Sequence, residues 1–219
     1  MDKTIKITGT GNLAVRPDLM RLKIRLEALY PKYDVTLEQS SKMTEVLREL
    51  LKTAGFEKED LKTVSFDIRT VYKNIQTEDG DWKEELQGYQ FEHRLKLEFP
   101  IDNEKLGKVL YAFAQSGLNP LLSIEYTISD VERVKNTLIA QAVKDAKTKA
   151  EILAEAAEVK LGSIIHIDYS WNEENFMTSP VNDMQIMKCM SRAEERYDLD
   201  LEAEDIKLTD AITVTWKLS

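Results

Sequence analysis

Alternating apolar and polar positions run through most of this chain. Ile5, Ile7, Gly9, Gly11, Leu13 and Val15 share one side of a predicted strand over residues 4–15. Two glycines inside a strand point to a bulge or to the close approach of another backbone. Arg16-Pro17-Asp18 reads as a turn. In the next strand Met20, Leu22, Ile24, Leu26 and Ala28 face inward, with Arg21, Lys23, Arg25 and Glu27 outward. The two strands are expected to form an antiparallel hairpin with one wet face. Later strands are predicted at Thr63–Val71, burying Val64, Phe66 and Ile68, and at Tyr89–Phe99, with His93 on its apolar face. Three more follow: Leu121–Ile128, a strand beginning at Gly162 that aligns Ile165, Ile167, Tyr169 and Trp171, and Ile206–Leu218. Tyr72–Gly88 is polar, with Asp79-Gly80 as a turn.

Three stretches switch to helical spacing. Asp34–Ala54 carries an apolar stripe of Met43, Val46, Leu47, Leu50 and Leu51, with Asp34 as N-cap and Gly55 just past the end. Asn103–Ser116 stops at Gly117. The longest runs over 130–158, about 43 Å at ~1.5 Å per residue. Ala142, Ala146, Ala150 and Ala154 recur along it at every fourth position, with Val131, Leu138, Leu153 and Ala157 on the same broad face. A column of alanines lets another backbone come close, so this helix should lie tightly on a sheet. The fold class is therefore α+β: about seven mainly antiparallel strands against three helices, in one sheet or two.

Residues 172–205 break the pattern. They hold Met177, Met184, Met187, Met190 and the single cysteine, Cys189, and read as a long excursion within a 1–219 domain that itself divides at most into two lobes. From Arg192 to Asp205 seven acids face two arginines, more than half of the whole chain's excess of −9. That balance, with a pI near 5.0, makes nucleic acid and anionic membranes poor partners. One cysteine excludes an internal disulfide, and no apolar run approaches the ~20 residues of a membrane helix. MDKTIKITG enters a strand without a signal-peptide core. The expected location is cytoplasmic as the chain stands, or periplasmic if an export signal has been removed.

Four stretches together resemble the SIMPL-domain family, which includes periplasmic immunogenic proteins. They are IKITGTGNLAVRPDLMRLKI; AGFEKEDLKTVSFDI; GYQFEHRLKLEF with LGKVLYAFAQSGLNPLLSIEY; and AVKDAKTKAEILAEAAEVKLGSIIHI. Their order and spacing over residues 5–170 carry the likeness. It implies an α+β fold and, for some members, ring-like or channel-like oligomers. Roles in oxidative-stress protection or in binding a signalling kinase attach to individual relatives. The family supplies no catalytic residues to carry over. Glu158 stands where relatives often end the long helix with glycine, and the Met-rich, acidic excursion has no counterpart in the resemblance.

Candidate chemistry is sparse. Gly9-x-Gly11 precedes a strand and a proline turn instead of a helix, so a phosphate loop is disfavoured. His93 and His166 lack a sequence partner for catalysis. Lys149 falls in the alanine stripe; a desolvated lysine can serve as base or nucleophile, but pairing with Asp145 one turn back is the simpler expectation. Met184, Met187, Cys189 and Met190 form a soft cluster suited to Cu(I), or to ordinary apolar contacts. The acidic run Glu194–Asp205 lacks a calcium-loop pattern. No catalytic or cofactor-binding set is assigned, and no cofactor is expected. The expectation is a non-enzymatic homo-oligomer or protein-interaction module, stress-related, with a protein partner and no membrane insertion. Small-molecule or Cu(I) binding linked to oxidative stress is the alternative. An enzyme using Lys149 or His93 is the weakest reading.

Overall fold

The computed structural model describes residues 3–76, 81–169, 176–178 and 201–219. These contain β1 (Thr4–Val15), β2 (Leu19–Tyr30), α1 (Tyr33–Thr53), β3 (Leu61–Gln76) and β4 (Trp82–Pro100). They continue with α2 (Asn103–Ser116), β5 (Leu121–Thr127), α3 (Val131–Ala156), β6 (Leu161–Asp168) and β7 (Ile206–Leu218). The fold is α+β, with antiparallel strands in two sheets of order β1-β7-β6 and β3-β4-β2-β5. Two compact units result. One comprises β1, α3, β6 and β7; the other holds β2 to β4, α1, α2 and nearly all of β5.

In the first unit β1 pairs with β7 in unbroken register from Thr4↔Lys217 to Val15↔Ile206. The expected glycine bulge is therefore absent, and the alternative, close approach, is what occurs. α3 lies so near that a Cβ on Gly9 would stand 2.1 Å from the Ala142 carbonyl oxygen and 2.3 Å from the Ala146 nitrogen. A Cβ on Gly11 would meet the Leu138 oxygen at 2.3 Å. Ala142, Ala146 and Ala150 are fully buried against Ile212, Val214 and Trp216. Leu153, expected on the same face, is half exposed, and so is Ile152. The Asp130 carboxylate caps α3 by accepting from the Arg133 amide at 2.9 Å.

β1 and β2 do not form a hairpin; they belong to different sheets. The reason lies in the connection. The Asp18 amide donates to the Thr127 carbonyl at 3.1 Å, and its carboxylate accepts from the Ser129 amide at 2.7 Å and hydroxyl at 2.5 Å. Pro17-Asp18 thus docks onto the start of the α3 segment. These bonds to Ser129, offset in part by desolvation, hold the Asp18 carboxyl below its ordinary pKa.

In the second unit α1 packs on β2 and β4, where Met20, Leu22, Ile24, Leu26, Phe91, Leu95 and Leu97 are all fully buried, and α2 packs on α1. The buried side of α1 is Thr36, Ser40, Thr44, Leu47 and Leu51, whereas Val46, expected in its stripe, is exposed. The hydroxyls return bonds to the helix itself: Thr36 to Lys32, Ser40 to Leu37 and Thr44 to Ser40 carbonyls, each at 2.8 Å. So satisfied, they pack as small groups. The α1 N-cap is Lys32, two residues before the expected Asp34, and makes no side-chain cap bond.

β3 departs most from expectation. Val64 and Phe66, expected inside, are 61% and 42% exposed. A register shift between Thr63 and Ser65 breaks the alternation there, and β3 is an edge strand. Within the polar stretch from Tyr72, residues 72–76 and 82–88 are strand, and the expected Asp79-Gly80 turn lies outside the described residues. β3 and β4 continue pairing through Tyr72↔Leu86 to Gln76↔Trp82, while β2 stops at Tyr30↔Tyr89. A two-stranded arm therefore extends past the four-stranded sheet.

Candidate functional site

The sequence candidates within the described residues are held by ordinary bonds. His93 of β4 lies between Thr44 of α1, 3.1 Å from its Nδ1, and Thr63 of β3, 3.0 Å from its Nε2. The Thr44 hydroxyl already donates to Ser40, so it accepts from Nδ1–H, and Nε2 accepts from Thr63. Burial, then the nearby Arg48 guanidinium, lowers the His93 pKa and favours this neutral ring. Phe66 stands edge-on at 5.2 Å. His166 lies on exposed β6.

Lys149 gives its ammonium to Asp145 at 2.6 Å and is half exposed. Asp145 also accepts from the Thr10 amide at 2.8 Å, which lowers its pKa chiefly through the Lys149 bond and then the amide. Met184, Met187, Cys189, Met190 and all of the acidic run before residue 201 lie outside the described residues. Among the described residues no group of three His, Cys, Asp or Glu side chains converges on a metal position. No described helix is long and apolar enough to cross a membrane, which says nothing of β-barrels.

Three surfaces stand out instead. Strand β6, at the edge of its sheet, leaves Ile164, Ile165 and Ile167 about half exposed (51%, 52% and 46%) and carries a single charge, Asp168. The β3–β4 arm exposes Tyr72, Leu86 and Trp82, the last 71% exposed.

The third surface is the outer face of β3-β4-β2-β5, turned away from the helices. Register places Lys62, Lys96 and Lys23 side by side across three strands, and Arg94 opposite Arg25 in the next row. Like charges directly opposite destabilise a sheet. A groove of about 650 Å³ opens here, lined by Arg21, Lys23, Arg25, Arg94 and Lys96, with bulged Val64 at one side and no acidic residue. The compensating carboxylates stand around it. Glu98 takes Arg21 at 2.6 Å and Lys96 at 3.4 Å, Glu125 takes Lys23 at 2.5 Å, Glu27 takes Arg25 at 3.8 Å, and Glu92 takes Arg94. The Glu125 Oε2 is buried without a hydrogen-bond partner among the described residues. Burial raises the Glu98 pKa, but the Arg21 and Lys96 contacts outweigh it and the net shift is downward. Alternation showed that these cations face outward; their alignment into rows depends on strand order and register, which one strand's sequence does not carry.

These features define a two-sheet α+β protein whose unusual chemistry lies on strand faces and edges. The chain belongs to the SIMPL family, described as a protein of unknown function (DUF541), whose model matches residues 5–216. It is 28% identical over 165 residues to the 26 kDa periplasmic immunogenic protein of Brucella abortus (strain S19), covering 74% of this chain and 65% of that protein. The corresponding Brucella melitensis protein is 27% identical over the same shares. The match thus spans less than two thirds of those relatives' length. The uncharacterized protein YggE of Edwardsiella ictaluri is 23% identical over 212 residues, covering 97% of this chain and 85% of the relative.

Proposed function

We propose that this protein acts as a non-enzymatic assembly module, joining copies of itself through strand edges. The observation that carries the reading is β6. Its outer side pairs with no strand among the described residues, and three half-exposed isoleucines flank it. Edge strands are ordinarily guarded by charge, proline or a covering element, because their free amides and carbonyls template further pairing. The β3–β4 arm supports the same reading, since a two-stranded ribbon is marginal alone and its exposed aromatics gain from a second surface.

Light scattering over a wide concentration range tests this. The expected result is a defined oligomer for the natural chain. Ile165→Lys, on exposed β6, weakens association by about tenfold or more while preserving the circular dichroism spectrum. A monomer at every concentration overturns the proposal. A protein partner on the same edge, a stress-related role and the periplasmic setting named for the Brucella relatives are further parts of this reading. Cell fractionation of the natural gene product tests the setting. The Cu(I) alternative rests on residues 184–190 alone; no uptake in a Cu(I) titration, or uptake unchanged in Cys189→Ser, rejects it.

A further inference from the structure

We propose that the groove on the outer face of the four-stranded sheet binds a small organic dianion: two carboxylate or phosphate groups on an apolar frame. The lining is five cations without a carboxylate, in a chain whose net charge is −9. Even after the four ion-pairing carboxylates around it are counted, the groove keeps a positive balance. The cations are also spaced for two anionic groups. The Lys23–Lys96 row and the Arg25–Arg94 row lie two residues apart along their strands, about 7 Å. Each row places two cations directly opposite one another, an arrangement that costs stability in the empty sheet and is relieved by an anion between them. Local rules broken in this way mark functional positions better than ordinary surface ones.

Three of the cations, though ion-paired, stay open to solvent. Side chains of Lys23, Arg25 and Arg94 are 51%, 42% and 58% exposed, and the Arg25–Glu27 pair is long at 3.8 Å. Guanidinium forks suit carboxylate and phosphate oxygens equally. The apolar frame is inferred from Val64, turned out by the bulge, and from Leu121 on the opposite side. A volume near 650 Å³ matches small-molecule sites and favours such a ligand over a macromolecule. The proposal does not rest on self-assembly.

Calorimetric titration with three probes tests it: pimelate, with two carboxylates, heptanoate, with one on a chain of equal length, and pentane-1,5-diylbisphosphonate, with two phosphate-like groups on an apolar chain. Saturable binding of pimelate or the bisphosphonate is expected, at least about tenfold tighter than heptanoate and weakening as ionic strength rises. Which dianion binds better separates a carboxylate ligand from a phosphate one. Arg25→Gln/Arg94→Gln and Lys23→Gln/Lys96→Gln should each reduce the affinity about tenfold or more. Lys6→Gln/Lys160→Gln, in the other unit, should leave it unchanged. The proposal fails if neither dianion saturates by roughly 10 mM, a free energy of only about 3 kcal/mol. It also fails if the groove variants bind as the natural chain does. Light scattering on the same samples reports assembly separately.

Discussion

Replacing Gly9 by alanine tests the packing on which the first unit depends. The added methyl would lie 2.1 Å from the Ala142 oxygen and 2.3 Å from the Ala146 nitrogen, where ordinary contact begins at 3.4 Å. Both obstacles are helix backbone, so no rotamer change removes them. Strand and helix must separate by roughly 1 Å, and a gap of that size forfeits a quarter to a half of the dispersion energy across it. The interface that loosens is the one where Ala142, Ala146 and Ala150 meet Ile212, Val214 and Trp216. Overpacking ordinarily costs 1–3 kcal/mol. Losing a glycine's freedom from the unfolded chain returns about 0.4–1 kcal/mol. With a backbone clash at the top of the range, we expect a net loss of about 2–2.5 kcal/mol.

Urea unfolding followed by far-ultraviolet circular dichroism measures this, with the two units fitted as separate transitions if they part. A second variant makes the reasoning refutable. The methyl would also stand 2.6 Å from the Ala146 Cβ, which Ala146→Gly removes. Because the backbone obstacles persist, Gly9→Ala/Ala146→Gly should be no more stable than Gly9→Ala. Recovery in the double variant, or a loss below about 1 kcal/mol in the single one, would show that side chains and not backbones set the approach.

Other outcomes follow from single residues. Glu158, exposed at the end of α3, holds φ at +55°, in the left-handed region; Glu158→Gly should stabilise the unit by about 0.5–1 kcal/mol in the same urea assay. His93 has a folded pKa below its ordinary 6.5. The unfolded chain therefore binds the proton more readily, and this contribution is present above about pH 6.5 and lost as pH falls through the folded value. His93→Gln should flatten that part of the stability profile; an unchanged slope between neutral pH and pH ~5.5 would remove His93 as its source.

What the sequence reveals, and where it stops, follows from the range of each interaction. β1, α2 and β7 occupy their expected spans, and the alanines of α3 are buried as their spacing requires. Those features repeat within one element, so one element's residues suffice to see them. The β1–β2 hairpin fails because strand partnership is decided by remote segments: β7 for β1, and β4 for β2. α1 misleads because hydroxyls bonded to their own helix count as polar in sequence yet pack like small apolar groups. The groove is the fullest case. Arg21, Lys23 and Arg25 look like the solvated side of an ordinary strand until register sets them against Arg94 and Lys96. Repulsion between strands distant in the chain is invisible to any periodicity, yet it carries energy. Glu27, Glu92, Glu98 and Glu125 offset most of that charge, and an anion between the two rows, in a groove of ligand size, would offset the excess that they leave.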